Sequence, residues 1–350
     1  MALRERSRQI LKAIVQDYVR SAEPVASRTV ARKYLAGLSP ATVRNEMADL
    51  EEAGFLEQPH TSAGRVPSDK GYRYFVDFLL DPPEKPLGSW IGEQAGSLLE
   101  LRARRVEALM QHAARVLAEM TDCLSLVTAP RLAQLRLHAV HLLPGEAGRT
   151  VLILVSEEGV VDHRLVELDP GEEAGSAEEL EALSELLTRT LAGLTLHEIS
   201  GGLLRHLENE VGRFRQVLRV LLESLDEEES GSRGFRVVLY GVRSLLRQPE
   251  FRDLGMVHLL LGLLEQQESL VELLGAGAWM PEHGVSVAIG RELPLAAAQP
   301  FSMVSAPYAA GGAPLGRVGV VGPRRMDYAL VMTAVDEVTR RLESALERIL

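Results

Sequence analysis

The side chains with the most specific chemistry lie between residues 39 and 67, in the segment SPATVRNEMADLEEAGFLEQPHTSAGRVP. Arg44 and Asn45 are adjacent there, and arginine can pair bidentately with guanine as asparagine can with adenine. Ser39 and Thr42 precede them and can donate hydrogen bonds to phosphates. The segment therefore predicts a surface that binds duplex DNA.

A loop behind this helix supplies further candidate contacts. Gly64 permits a turn with positive φ, and we expect Arg65 at the loop tip, against a phosphate or in the minor groove. Arg32, Lys33 and Arg73 are additional phosphate candidates. The predicted DNA-binding residues are Arg28, Ser39, Thr42, Arg44, Asn45, His60, Thr61, Ser62 and Arg65.

Helix and strand signals show how these residues are positioned. Apolar spacing predicts helices over residues 4–20 and 27–35, and Ser39-Pro40 begins a third helix that Gly54 ends. A strand over 55–57, the Gly-Arg loop and a helix over 69–80 follow. This order is typical of a winged helix-turn-helix. Asp49, Glu51 and Glu52 would repel phosphate, so only the first half of the third helix should enter a groove.

Composition limits the other classes of protein. The chain has 350 residues, 46% hydrophobic and 25% charged, which favours two or three globular domains. It has no uninterrupted apolar run of ~18 residues, and its first residues lack a signal-peptide core. The single cysteine, Cys123, excludes an internal disulfide and fits a reducing compartment. We therefore expect a cytoplasmic protein without a membrane partner.

Charge is unevenly distributed along the chain. The net charge is −11, yet residues 1–80 contain 12 Lys+Arg and 10 Asp+Glu, which is +2, and the remaining residues account for −13. A segment at +2 is only weakly basic. DNA affinity should therefore depend on a few placed arginines, with two copies of the chain acting together.

Later segments alternate between strand and helix signals and predict an α+β protein. A Pro-rich linker spans 81–88. Predicted helices are 93–120, 177–191, 203–225, 242–246, 256–274 and 326–350, and predicted strands are 137–143, 151–156, 160–168, 235–240, 285–289, 301–306 and 315–321.

Residues 23–80 and the ending GRVGVVGPRRMDYALVMTAVDEVT resemble the heat-inducible transcription repressor family HrcA. The resemblance implies a dimeric repressor of chaperone operons that binds an inverted-repeat operator called CIRCE, with an active form supported by the GroEL chaperonin. It also implies a winged-helix domain, a GAF-like domain and a dimerisation domain inserted into the latter. The corresponding boundaries are 1–80, a linker over 81–88, a discontinuous GAF-like domain over 89–136 and 231–350, and the insert over 137–230.

Two other functions remain open. A GAF-like domain can hold a small ligand, so the alternative is a winged-helix regulator gated by a small molecule, with Arg324 and Arg325 as a weak anion-site candidate. A third possibility is an enzyme with an added winged helix. The sequence has no P-loop, nucleophile elbow or paired carboxylates, and we expect no catalytic residue, cofactor or metal.

Overall fold

The computed structural model describes residues 3–60, 63–80, 106–130, 136–145, 149–157, 161–166, 176–195, 198–199, 237–280, 284–310 and 313–348. Within these ranges the protein is α+β, with antiparallel sheets. The helices are α1 Glu5–Ser21, α2 Ser27–Lys33, α3 Pro40–Glu52, α4 Asp69–Phe78, α5 Val106–Thr121, α6 Ala177–Leu191, α7 Val242–Leu245, α8 Leu254–Leu264, α9 Gln267–Gly275 and α10 Tyr328–Leu346. The strands are β1 Leu56–Glu57, β2 Val66–Pro67, β3 Leu124–Thr128, β4 Leu137–Pro144, β5 Thr150–Ser156, β6 Val161–Val166, β7 Val237–Tyr240, β8 Ala278–Met280, β9 Val285–Ile289, β10 Phe301–Ala310 and β11 Ala313–Pro323.

The first three helices pack around a small apolar interior. Ile10 and Ile14 of α1, Val30 of α2 and Val43 and Leu50 of α3 are all buried. β1 and β2 follow α3 as a short antiparallel pair, with Leu56 opposite Pro67. Thus helix, helix, helix and hairpin occur in the order that the sequence predicts, and the bounds of α1, α3 and α4 differ from prediction by one or two residues at most ends.

The largest described sheet has six strands in the order β7-β3-β11-β10-β9-β8. One face packs against α5 and α10, where Val304, Val320 and Val335 are buried. The other face packs against α8 and α9 through residues such as Leu126, Leu274 and Met303. The sheet is therefore the middle layer of three.

A separate three-stranded sheet, β4-β5-β6, is formed by described residues between β3 and β7. Helix α6 covers it: Ser184 Oγ accepts a hydrogen bond from Leu142 N at 2.8 Å, and Thr188 Oγ1 accepts one from Val140 N at 2.9 Å. Strands β3 and β7 are therefore neighbours in the large sheet, although the three-stranded sheet and α6 lie between them in the sequence.

A single apolar cluster spans the N-terminal helices and the large sheet. It contains Ile10 and Val43 from the first helices, Tyr72 from α4, and Tyr328 and Val335 from α10. The rings of Tyr72 and Tyr328 lie 6.0 Å apart. Helix α4 therefore joins the two parts of the chain through continuous buried contact.

Several helices and strands differ from the sequence prediction. The single helix expected over 256–274 is two helices, α8 and α9, because the chain breaks at Glu265-Gln266. Strands β3 and β8 were not predicted, and β10 and β11 are longer than expected. The first part of the helix expected over 93–120, and the one over 203–225, lie outside the described residues.

Helix α8 exposes large apolar side chains to solvent. It contains no charged residue, and Leu254 is 74% exposed and Leu261 46% exposed. Even so, no helix in the described ranges combines the length and the hydropathy needed to cross a membrane.

Candidate nucleic-acid interface

Helix α3 begins with a complete side-chain cap. Ser39 Oγ accepts a hydrogen bond from Thr42 N at 3.1 Å, Pro40 occupies the first turn, and the hydroxyls of Ser39 and Thr42 lie 2.9 Å apart. These bonds satisfy amides that a helix start leaves unpaired. Ser39 and Thr42 therefore fix the direction of the first turn, and both hydroxyl groups contribute to the cap.

Arg44 and Asn45 lie exposed on the next turn of α3. Neither side chain has a hydrogen bond or ion pair with any part of the chain that the structure describes. The stripe of Val43, Met47 and Leu50 on the other side is buried. Among the described residues, helix α3 thus exposes an unpaired guanidinium and an unpaired amide at consecutive positions outside its buried stripe.

The carboxylates of α3 are partly neutralised. Glu46 Oε2 accepts a hydrogen bond from Ser7 Oγ at 2.9 Å, and its other oxygen lies 3.8 Å from Arg6. Glu51 pairs with Arg65 at 2.8 Å. Negative charge on the second half of α3 is therefore reduced next to a surface proposed to meet phosphate.

Arg65 lies at the base of the β1–β2 loop, which corrects the expectation that it occupies the tip. Its main chain forms two 2.9 Å hydrogen bonds with Val25, and its Nε donates to Glu51 Oε2. The guanidinium is only 20% exposed. Arg65 thus ties the loop to both the chain before α2 and the end of α3.

Gly64 is required by this close approach. A Cβ at Gly64 would lie 2.3 Å from the carbonyl oxygen of Val25, far inside contact distance. Gln58 Nε2 closes the loop from the other side by donating to Ala63 O at 3.2 Å. Gly64 does not have a positive φ, which corrects the expectation of a positive-φ turn at this residue. The Gly-Arg pair instead holds the base of the loop against Val25.

The other predicted loop contacts are only partly described. His60 is exposed at the start of the loop, whereas Thr61 and Ser62 lie outside the described residues. A groove of about 360 Å³ runs between the loop and α3, lined in part by Arg44, Gln58 and Arg65. Polar donors thus line the space beside the free Arg44.

A second groove, of about 820 Å³, lies on the other side of the start of α3. Its walls include Arg28, Arg32 and Lys33, together with Leu38 and Pro40. Lys33 pairs with Asp17 at 2.7 Å. The hydrogen bond to Asp17, with a second one to Tyr34, raises the pKa of Lys33 above its ordinary value. Arg28 and Arg32 are exposed and form no side-chain bond within the described ranges. Three unpaired arginines, counting Arg44, therefore surround the first half of α3.

Arg73 faces the large sheet and is not available to phosphate, which corrects its assignment as a candidate. Its Nε donates to Glu292 Oε1 and its Nη2 to Val287 O, both at 2.8 Å, and Nη1 lies 3.3 Å from Asp77. Burial opposes its charge, but the bonds to Glu292 and Asp77 outweigh this, so the pKa of Arg73 lies above its ordinary value.

Arg324 and Arg325 also lie where the N-terminal helices meet the large sheet, which we call the junction. Arg324 Nη1 lies 2.8 Å from Asp69 Oδ1 at the start of α4. Arg325 pairs with Glu250 at 2.5 and 3.0 Å and donates to Val19 O at 3.2 Å. The weak anion-site candidate at these two arginines is therefore wrong, because both are neutralised by carboxylates of the chain. Local signals could not reveal this, since the Arg73–Glu292 and Arg324–Asp69 pairs are 219 and 255 residues apart.

Cys123 is buried immediately before β3. Burial, assisted by the charge of Asp122, raises the pKa of the Cys123 thiol to about 12. The thiol therefore stays protonated near neutral pH and is not a reactive nucleophile. Among the described residues no group of three or more His, Cys, Asp or Glu side chains is arranged to hold a metal ion.

Comparison with known proteins identifies relatives along the whole chain. The family model described as the HrcA protein C terminal domain matches residues 107–332. A heat-inducible transcription repressor HrcA of Pelotomaculum thermopropionicum is 39% identical over 349 residues, covering 100% of this chain and 98% of that protein. One from Desulfitobacterium hafniense is 38% identical and covers 99% of this chain and 98% of its own. The crystal structure of a protein described as hypothetical matches with a TM-score of 0.66, 24% identity and full coverage of both chains, a likeness in fold alone.

Proposed function

Because the chain belongs to the heat-inducible transcription repressor HrcA family, we propose that it represses heat-shock operons by reading a DNA operator with a winged helix-turn-helix at its N-terminus. In this proposal α3 is the recognition helix and the β1–β2 loop is the wing. Members of the family are transcription repressors, and the chain is accordingly not an enzyme.

One observation carries the proposal: Arg44 and Asn45 are exposed and without a partner in the described structure, on the first half of a capped helix. An exposed guanidinium or amide only has to exchange water for a base edge, whereas a paired one must also lose its protein partner. We assign Arg44 and Asn45 to base contacts. Ser39, Thr42, His60, Thr61 and Ser62 would contact the backbone, with Arg28 beyond them.

Arg65 takes a different part in the proposal. Its guanidinium neutralises Glu51 and its main chain holds the loop against Val25, so it positions α3 and the wing relative to each other. Contact of Arg65 with phosphate would require exchange of Glu51 for a phosphate oxygen. We therefore rank it below Arg44 as a direct contact.

We also propose the domain arrangement that this function needs. Residues 1–80 form the winged helix and 81–88 the linker, 89–136 and 231–350 form a GAF-like domain, and 137–230 form an inserted dimerisation domain. The separate β4-β5-β6 sheet under α6, between strands of the large sheet, supports an insertion. Two chains would read an inverted-repeat operator of the CIRCE type, with half-sites spaced by whole helical turns on one face of the DNA.

Repression in this proposal is steric: the bound dimer blocks RNA polymerase. Heat lowers the active fraction because folded domains lose structure steeply with temperature, and the GroEL chaperonin restores it. The chaperonin step comes from the family resemblance. A repressor that works this way acts in the cytoplasm and associates with the nucleoid when active.

The test is fluorescence anisotropy of the full chain with a labelled CIRCE-type inverted repeat and a scrambled duplex, at fixed physiological salt. We expect a preference of ~10³-fold or more for the operator. Analytical ultracentrifugation of the same sample should give a dimer on one operator. Equal, weak binding to both duplexes, with and without GroEL, would contradict the proposal.

Matched variants locate the contact. Arg44→Ala and Asn45→Ala should each reduce the preference. Arg247→Ala, at an exposed arginine in the loop after α7, should leave it unchanged although it removes the same charge as Arg44→Ala. If Arg247→Ala weakens operator binding as much as Arg44→Ala does, the effect is one of net charge, and α3 is not the reading surface.

A further inference from the structure

Consecutive side chains in the middle of α3 point in three directions. Each residue of an α-helix is rotated by about 100° from the one before it, so Asn45 points between Arg44 on one side and Glu46 on the other. Arg44 borders the groove that the β1–β2 loop lines, together with Gln58 and Arg65. The proposed wing therefore lies on the Arg44 side of the exposed face of α3, and the Glu46 side is the opposite flank.

The first turn of α1 lies on that opposite flank. Glu46 Oε2 accepts a hydrogen bond from Ser7 Oγ at 2.9 Å, and Glu46 Oε1 lies 3.8 Å from Arg6 Nη1. The main-chain N–H of Leu3 donates to the hydroxyl of Tyr74 at 3.4 Å, so the start of α1 is also held from the α4 side. These contacts fix Arg6 beside the middle of α3, on the side away from the wing.

Two arginines of this turn are open to a ligand. Arg4 is exposed and forms no hydrogen bond or ion pair within the described ranges. The side chain of Arg6 is 56% exposed, and its 3.8 Å separation from Glu46 is too long for a hydrogen bond. Arg8, by contrast, lies 3.8 Å from Glu5 and donates to the main chain at the end of α4. Arg4 and Arg6 are therefore the accessible cations of this flank.

A helix that lies in the major groove meets a phosphate strand on either side, because the groove is only about 12 Å wide. On the Arg44 side, the loop supplies the contacts already proposed. On the other side α3 presents the carboxylates of Glu46 and Asp49, and Asp49 is exposed with no partner in the part of the chain that the structure describes. Without Arg4 and Arg6, this flank would repel the second strand.

We propose that Arg4 and Arg6 bind backbone phosphates of the DNA strand on the side of α3 opposite the wing. The inference rests on the proposed function, because it takes α3 as the recognition helix. Arg6 exchanges its long contact with Glu46 for a phosphate oxygen, while Ser7 keeps its hydrogen bond to Glu46. The two arginines add affinity for every sequence, because phosphates carry no base identity.

The salt dependence of binding measures these contacts. Fluorescence anisotropy of the full chain is recorded with the operator and with the scrambled duplex from about 50 to about 200 mM salt. Arg6→Ala should reduce the slope of log K against log salt by about 0.9 for both duplexes, and the double variant Arg4→Ala with Arg6→Ala by about 1.8. The ratio of the two affinities should stay the same, because neither side chain reads a base.

Arg20→Ala is the matched control. Arg20 is an exposed arginine in the last turn of the same helix, without a partner among the described residues, and lies about 21 Å from Arg6 along the helix axis. Arg20→Ala should leave the slope unchanged, and Arg6→Lys should keep most of it because the charge remains. Equal slope changes for Arg6→Ala and Arg20→Ala, or an unchanged slope in the double variant, would overturn the proposal.

Duplexes with one neutral methylphosphonate locate the contacted phosphate. Neutralising the phosphate that Arg6 binds should weaken binding by the wild-type chain and leave binding by the Arg6→Ala chain unaffected, a non-additive pair that a double-mutant cycle measures. Additive effects at every phosphate would place Arg6 away from the DNA.

The two proposals fail separately in these experiments. Operator preference together with an unchanged slope in the double variant contradicts the role of α1 and leaves α3 as the reading helix. A chain without operator preference contradicts the proposed function instead. In that case the slope on the scrambled duplex still decides whether Arg4 and Arg6 contact phosphate, because this readout requires no sequence preference.

Discussion

Arginines around the start of α3 and arginines where α4 meets the large sheet have opposite surroundings. Arg28, Arg32 and Arg44 are exposed and have no partner in the described structure, whereas Arg73, Arg324 and Arg325 each pair with a carboxylate. Arginine far outnumbers lysine in this chain, so residue type does not distinguish the two groups. The pairing state therefore separates arginines that can bind a ligand from those that hold the fold.

The comparison revises the candidate list. By residue type alone, Arg44, Arg65 and Arg73 are equivalent phosphate ligands. By surroundings, Arg44 is free, Arg65 is tied to Glu51 inside the N-terminal part, and Arg73 joins that part to the large sheet. Arg44 is thus assigned as a DNA contact, Arg65 as a positioning residue and Arg73 as a residue that joins the N-terminal part to the large sheet. The predictions below test this separation, beginning with the largest effect.

Arg325→Ala should have the largest effect, and it should be on stability. The guanidinium is 11% exposed, and its loss leaves Glu250 without its ion-pair partner and Val19 O without a donor. Breaking a buried pair from one side costs about 3 kcal/mol. Urea unfolding followed by circular dichroism measures the loss. Arg324→Ala, which removes a single, more exposed pair, is the control and should cost less.

Arg44→Ala should have the next largest effect, and it should be on operator affinity. Loss of one bidentate base contact costs about 1–3 kcal/mol and relaxes base preference at that position. The unfolding free energy should change by no more than about 0.5 kcal/mol, since the side chain is exposed and unpaired. Anisotropy with operators mutated one base pair at a time measures both. Wild-type affinity with unchanged base preference would place the reading surface elsewhere.

Arg65→Ala distinguishes positioning from direct contact. It should weaken operator binding by about 1 kcal/mol, because Glu51 then faces the DNA without its counter-charge. The double variant Arg65→Ala with Glu51→Gln should recover most of that loss, which a double-mutant cycle in the anisotropy assay measures. If the double variant stays as weak as Arg65→Ala, and the salt dependence of binding falls by about one ion, Arg65 contacts phosphate directly.

Arg32→Ala should have the smallest effect on sequence preference. A phosphate contact affects all sequences alike, so affinity should fall for operator and scrambled duplex together, and the slope of log K against log salt should decrease by about 0.9. Lys33→Ala is the matched control, since Asp17 already neutralises Lys33 and the slope should change less. A slope that changes more for Lys33→Ala would reverse the assignment of free and paired cations in this groove.

Local signals explain which parts of the fold could be predicted from sequence. Ser39-Pro40 and Gly54 define α3 because caps act within one turn, and Ser68 likewise begins α4. Strand β3 was missed because Leu124–Thr128 is buried at every position and shows no alternation. The break between α8 and α9 falls in the polar stretch that begins at Glu265, and the prediction of one helix over 256–274 did not treat that stretch as a helix end.

Long-range pairing explains what the sequence could not indicate about the site. Glu51 and Arg65 meet only because the loop returns to α3, and Arg73 reaches Glu292 only because α4 lies against the end of β9. Exposure and partner distance are tertiary properties. Residue type therefore identified the candidates, and their surroundings ranked them.

The apolar cluster shared by the first helices, α4 and α10 has a consequence for calorimetry. Because Ile10 and Tyr72 belong to the same buried apolar cluster as Tyr328 and Val335, we expect the N-terminal helices and the large sheet to melt in one cooperative step. The van't Hoff enthalpy should then match the calorimetric enthalpy of both parts together. Loss of the DNA-reading helix and exposure of the sheet's apolar interior would be a single event, so the temperature that releases the operator also creates the surface that a chaperone recognises.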